Sequence, residues 1–113
     1  MTSLRAKRRI PVTRGSGNVF ADLGLPNPEE LLAKAELAYA ISRAIKERGL
    51  TQRAAAMLMG IDQPKVSHIT RGRLGDFSTE RLMAFLTALG RDVEIVVRRA
   101  PKSRKRGRLH VAA

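Results

Sequence analysis

Cysteine is absent from the 113 residues, which removes disulfide scaffolds, thiolate zinc sites and cysteine nucleophiles together and is compatible with a reducing cytosol. Long apolar runs are missing as well. A membrane span needs ~20 consecutive apolar residues, and the longest near-continuous stretch, Ala54 to Ile61, falls far short. Acid is absent before Asp22, but Pro11 to Asp22 offers no apolar block ahead of a small-residue cleavage site, so a signal peptide is not expected. An Arg-rich organellar presequence would need an amphipathic period that this stretch lacks. With two histidines, His68 and His110, and no His-Glu helical pair, no metal site is expected. Arg14-Gly15-Ser16-Gly17 lacks the following Lys of a phosphate loop and reads as a hinge. No catalytic group, cofactor or membrane partner is expected, and the length fits one domain of ~100 to 200 residues.

What the chain has in excess is positive charge: 22 Lys+Arg against 10 Asp+Glu, for a net charge of +12. Its placement says more than its sum. Arg5, Lys7, Arg8, Arg9 and Arg14 form one acid-free arm, and Arg98, Arg99, Lys102, Arg104, Lys105, Arg106 and Arg108 form another. Between the arms the chain is neutral but polarised. Arg43, Lys46, Arg48, Arg53, Lys65, Arg71 and Arg73 face only Glu47 and Asp62 within their block, whereas the flanks on either side are acidic.

Asn27-Pro28-Glu29-Glu30 predicts the opening of a long helix, with Asn27 as cap, Pro28 at the first helical position and two acids against the amino-terminal dipole. Leu31, Ala35, Ala38, Ile41 and Ile45 then recur on one face as far as Arg48, with Gly49 ending the helix. Leu37 and Tyr39 lie off that stripe; core is their default, and exposure would mark a protein-binding patch. Thr51 caps a second helix running to Met59, whose Met57, Leu58 and Met59 read as packing. Asp62 caps a third helix, and Ser78 a fourth with Leu82, Phe85, Leu86 and Leu89 buried. Phe77 and Leu82 have the spacing of a hydrophobic staple. From Asp92 to Arg98 the period changes to two, with Val93, Ile95 and Val97 on one face, which predicts a strand needing a partner. Other strand candidates are short, around Ile10 to Thr13 and Val19-Phe20.

Two short helices joined by a glycine-containing turn, the second within the basic block, read as a helix-turn-helix. Ala55 and Ala56 permit a close crossing, Gly60 the sharp turn, and Val66 with Ile69 anchors the second helix inward. The opposite face presents Gln63, Pro64, Ser67, His68 and Arg71, with Lys65 at its edge. Such side chains suit base edges and phosphates in a major groove. Gln52 would sit over a phosphate, a positioning contact.

The run GLTQRAAAMLMGIDQPKVSHITRG, Gly49 to Gly72, resembles the Xre-type, lambdoid-repressor-like helix-turn-helix family without a gap, and the match extends through FSTERLMAFLTALG to about Gly90. The resemblance implies a backbone-clamping role for Gln52 and base-reading roles for Gln63, Ser67 and His68, with Pro64 a departure from the usual polar residue. Lys65, Arg71 and Arg73 complete the expected DNA-binding set. GNVFADLGLPNPEELLAKAELAYAI and LGRDVEIVVRR resemble small HigA-like antitoxins encoded beside RelE/Gp49-like toxins. That likeness implies a dimeric repressor of its own operon that also neutralises an mRNA-cleaving toxin.

The expected fold is therefore mainly α: a four- to five-helix bundle with a lambda-repressor-like helix-turn-helix, plus one C-terminal β-strand paired across a dimer through Val93, Ile95 and Val97. Residues 1 to 14 are expected as a basic flexible arm, 15 to 99 as the domain with its motif at 51 to 71, and 100 to 113 as a basic disordered tail. A basic toxin would meet the acidic flank of Phe20, Asp22, Leu23, Glu29, Glu30 and Glu36. The expected partners are an operator duplex, a second copy and that toxin; the expected location is cytoplasmic, at the nucleoid. A standalone Xre regulator without a toxin and a general nucleic-acid condenser driven by the arms are the alternatives.

Overall fold

Asn18 starts the first helix. In the computed structural model, which describes residues 18–112, the Asn18 side chain accepts from the N–H groups of Phe20 (2.9 Å) and Ala21 (3.3 Å). These bonds cap α1, Val19–Asp22. Val19 and Phe20, expected as a short strand, are thus helical, because a capping side chain satisfies the first free donors and selects helix locally. The expected arm and the Ile10 to Thr13 candidate lie outside the described residues.

α2 covers Pro28–Glu47, with Pro28 in its first turn followed by Glu29 and Glu30. Asn27 does not cap it. The turn out of α1 puts Asn27 in left-handed backbone (φ 52°) with no side-chain capping bond, whereas a capping residue is extended; only its carbonyl serves, accepting from Leu31 N–H at 3.0 Å. Instead, Asn18 Nδ2 donates to the Pro28 carbonyl at 3.0 Å and ties α1 to the start of α2. The buried face of α2 is Ala33, Leu37, Ala38, Ile41, Ala44 and Ile45. Leu37 belongs to the core, Leu31 and Ala35 are half-buried, and Tyr39 is exposed.

α3 (Gln52–Met59), α4 (Gln63–Thr70) and α5 (Thr79–Ala88) follow, capped by Thr51, Asp62 and Ser78. Each cap accepts from the third N–H beyond it: Ala54 at 3.0 Å, Lys65 at 3.0 Å and Arg81 at 3.1 Å. α2 is the hub, packing on α1, α4 and α5, while α3 packs on α4 and α5. The core they share holds Ala55, Ala56, Met59, Val66, Ile69, Phe77, Leu82, Phe85, Leu86 and Leu89. Phe77 and Phe85 meet edge to face at 5.9 Å. The Arg81 guanidinium lies 5.2 Å and 5.3 Å from the two ring centres. Met57 and Leu58 are exposed, contrary to the packing expected of them. With Ala55, Ala56 and Met59 turned inward at ~100° per residue, positions 57 and 58 point away.

Beyond α5 the outcome departs from expectation twice. Residues 92–98 form no strand, and no residue among those described does. A strand exists by virtue of ladder partners, and this segment has none within the described chain. Val93 packs on the core, whereas Ile95, Val96 and Val97 are exposed. Residues 100–112, expected to be disordered, fold back along α2. A turn is closed by Arg104 N–H on the Pro101 carbonyl (3.1 Å), Val111 packs against the core, and its N–H donates to Glu36 Oε1 at 3.2 Å. An apolar residue that finds a core edge, next to acids that attract the bases, gives the tail a docking place.

Candidate nucleic-acid interface

The α3–α4 pair is built around one turn. Gly60 ends α3 in left-handed backbone (φ 73°) and donates to the Ala56 carbonyl at 2.8 Å. Ile61 N–H reaches the same carbonyl at 3.1 Å. Asp62 then returns to extended backbone, and its carboxylate takes the Lys65 N–H. The chain reverses within three residues, and the small faces of Ala55 and Ala56, both buried, let α3 approach its neighbours closely.

α4 is anchored from behind. Val66 and Ile69 are 0% and 1% exposed, so the helix cannot roll without unburying both. Its other side carries the side chains singled out from sequence. Gln63, Pro64, Lys65, Arg71 and Arg73 are exposed, and Ser67 and His68 are half-buried. Gln52 is exposed at the start of α3. At 1.5 Å per residue the eight-residue α4 is about 12 Å long, and a major groove about 12 Å wide admits one helix.

After Thr70 the chain turns through Arg71, Gly72 and Arg73, closed by Arg71 N–H on the Ser67 carbonyl (3.0 Å) and Arg73 N–H on the His68 carbonyl (2.8 Å). The two arginines are therefore carried by backbone fixed to α4 and not by a loose loop.

The basic block divides by what its members touch. Arg43 pairs with Glu47 at 2.8 Å, and Arg48 Nη1 donates to the Leu89 carbonyl at 3.0 Å, so both serve the fold. Arg53, Lys65, Arg71 and Arg73 have no ion pair among the described residues. Asp62, the acid nearest to Lys65 in sequence, spends its carboxylate on backbone. Uncompensated cations beside an outward helix face are what a phosphate-lined groove attracts. Arg53, exposed beside Gln52, joins this set; its adjacency to Gln52 is the sequence signal that marks it.

The other two expected groups lie elsewhere. Val93 is half-buried against the core, and Ile95 and Val97 are exposed. In the acidic flank, Asp22, Leu23 and Glu30 are exposed, while Phe20, Glu29 and Glu36 are half-buried. Glu29 and Glu36 are engaged by the chain's own tail, Glu29 with Arg106 at 3.8 Å. No group of three or more metal-ligating side chains converges among the described residues, and no helix there is long and apolar enough to cross a membrane.

Comparison with known proteins agrees with this geometry. A family model described as a helix-turn-helix domain matches residues 19–98. A solved structure named as an XRE-family transcriptional regulator is 49% identical, with a TM-score of 0.73; the alignment covers 78% of this chain and 99% of that one. A search of curated proteins gave no match.

Proposed function

The chain belongs to the Xre family of helix-turn-helix transcriptional regulators, and from that premise we propose that it is a sequence-specific repressor that reads its operator with α4. The observation that carries this reading is the two-faced burial of that helix: Val66 and Ile69 are sealed inside while Gln63, Lys65 and Arg71 stand exposed. Gln63, Ser67 and His68 read base edges, and Gln52, Lys65, Arg71 and Arg73 hold phosphates. One such helix covers one half-site, and two copies joined through residues 92–98 cover a palindrome. The test is operator preference at fixed salt. Gln63→Ala lowers the ratio of operator to random-duplex affinity, and equal loss on both duplexes overturns the assignment of α4.

The finer reading is an antitoxin that also masks a RelE/Gp49-like toxin through its acidic flank. Supporting it, Leu23 is exposed beside Asp22 at the end of α1, with Glu30 exposed at the start of α2, an apolar and acidic surface suited to a basic protein. The standalone regulator is the alternative, and co-expression with a neighbouring reading frame decides between them. Growth arrest by the neighbour, relieved by this chain and by its Gln63→Ala variant alike, supports separate surfaces for toxin and DNA. A neighbour without toxicity favours the standalone regulator.

A further inference from the structure

The C-terminal tail carries Lys102, Arg104, Lys105, Arg106 and Arg108, yet it rests on the acidic side of α2. Three anchors hold it there: Val111 against the core, the Val111 N–H on Glu36 Oε1 at 3.2 Å, and Arg106 beside Glu29 at 3.8 Å. Arg91 pairs with Glu47 at the far end of α2. Between positions 47 and 29 the segment therefore runs about 27 Å along the helix at 1.5 Å per residue, turns at 101–106 and comes partway back.

The anchors are weak where they are electrostatic. The Arg106–Glu29 pair is long, and the Arg106 side chain is 86% exposed, so water and salt compete with it directly. Arg104 is half-buried, and its Nη1 is buried without a hydrogen-bond partner. A guanidinium nitrogen removed from water and left unbonded disfavours the docked position. Freed at Ala100, twelve residues extend up to about 40 Å, enough to follow a duplex backbone whose phosphates would satisfy Arg104.

We propose that residues 101–112 are a DNA-binding arm stored in cis on the Glu29 and Glu36 face of α2, and that duplex phosphate and this acidic face compete for it. The inference rests on the DNA-binding reading and adds a regulatory contact to it. Anything basic that docks on the α2 acids displaces the arm, releases its cations and tightens DNA binding; conversely, DNA uncovers the acidic face. Reciprocity of this kind follows from linkage.

The test uses the full chain in two backgrounds. Glu29→Gln with Glu36→Gln raises affinity for a random duplex at 50 mM salt by about 3- to 10-fold, as counterion release by a freed arm requires. In a chain whose Lys102, Lys105, Arg106 and Arg108 are all changed to Gln, the same acid changes alter affinity less than about twofold. Equal enhancement in both backgrounds, a general charge effect, overturns the proposal, as does no enhancement in either. A DNA-free measurement separates this from the parent reading. In the unbound protein the acid changes move the Val111 amide resonance toward its random-coil position, and an unmoved resonance overturns the stored arm while leaving DNA binding by α4 intact. A chain that binds no duplex at all overturns both.

Discussion

Arg48 Nη1 donates a 3.0 Å hydrogen bond to the Leu89 carbonyl, 41 residues away, joining the last turn of α2 to the last turn of α5. The bond places a cation on the free carbonyl end of α5, where the helix dipole is negative, just before Gly90 turns the chain in left-handed backbone (φ 90°). Arg48→Met keeps the aliphatic stem and removes the donor. It lowers stability by about 1 kcal/mol, a melting shift of about 4 to 8 °C for a domain of this size. Affinity for random duplex at fixed salt stays within about twofold of the parent, because this cation is committed to the fold and not to phosphate. Thermal denaturation and a duplex titration check the two halves.

Cations on the α4 side behave in the opposite way. Lys65 and Arg73 are exposed and unpaired among the described residues, so replacing either by Ala leaves stability within about 0.5 kcal/mol. Each change flattens the log affinity against log salt slope by about 0.9 and weakens operator and random duplex alike. His68→Ala instead costs about 1 to 3 kcal/mol on the operator and little on random sequence. Titrations at several salt concentrations separate the classes.

Gly60 gives a test of the turn itself. Its φ of 73° is left-handed, and a Cβ placed there meets nothing within 4 Å. The cost of a side chain is therefore conformational and not steric against neighbours. Gly60→Ala destabilises by about 1 to 2 kcal/mol, whereas Gly60→Asn costs less, since Asn visits this region more readily. Equal costs in denaturant titrations would mean that crowding governs the site.

Most of the α3–α4 geometry was legible because its determinants are local. Thr51, Asp62 and Ser78 each bond an N–H three residues on, and the inward spacing of Val66 and Ile69 is a property of one helix. Asn27 misled for the complementary reason: its capping bond required extended backbone, and the turn from α1 denies it that. The docked tail depends on a contact between Val111 and Glu36 that spans 75 residues, which neither periodicity nor charge counting reaches. Residues 92–98 have a strand's alternation, but pairing is a property of two segments.

Glu47 is held by Arg43 on its own helix and by Arg91 from beyond α5. The Arg43 hydrogen bond foremost keeps its carboxyl below the ordinary value of 4.5; desolvation, the next largest effect, opposes it, and the charges of Arg91 and Arg43 add to the lowering. A carboxyl lowered on folding adds stability that is present above that ordinary value and is lost as pH falls through the folded one. Glu47→Gln therefore lowers the melting temperature at pH 7, and the difference from the parent vanishes near pH 2. A gap that persisted in acid would assign the effect to packing.

The exposed segment after α5 makes the last prediction. Placing a two-fold axis at Ile95 and pairing two copies antiparallel sets Val93 opposite Val97 and Asp92 opposite Arg98, so apolar residues share one face and opposite charges meet at the ends. Such a ribbon would cover Ile95 and Val97, now 74% and 92% exposed, and satisfy a backbone that has no ladder partner among the described residues of one chain. Ile95→Asp places two like charges face to face on the axis, giving a monomer by sedimentation with the helical core still melting cooperatively. Asp92→Arg and Arg98→Asp each weaken the dimer alone by setting like charges opposite. Made together, they restore the pairing. A dimer indifferent to Ile95→Asp would place the two-fold contact on another surface. Loss of operator preference in step with dissociation would tie the second copy to half-site recognition, since one α4 spans too few base pairs to discriminate alone.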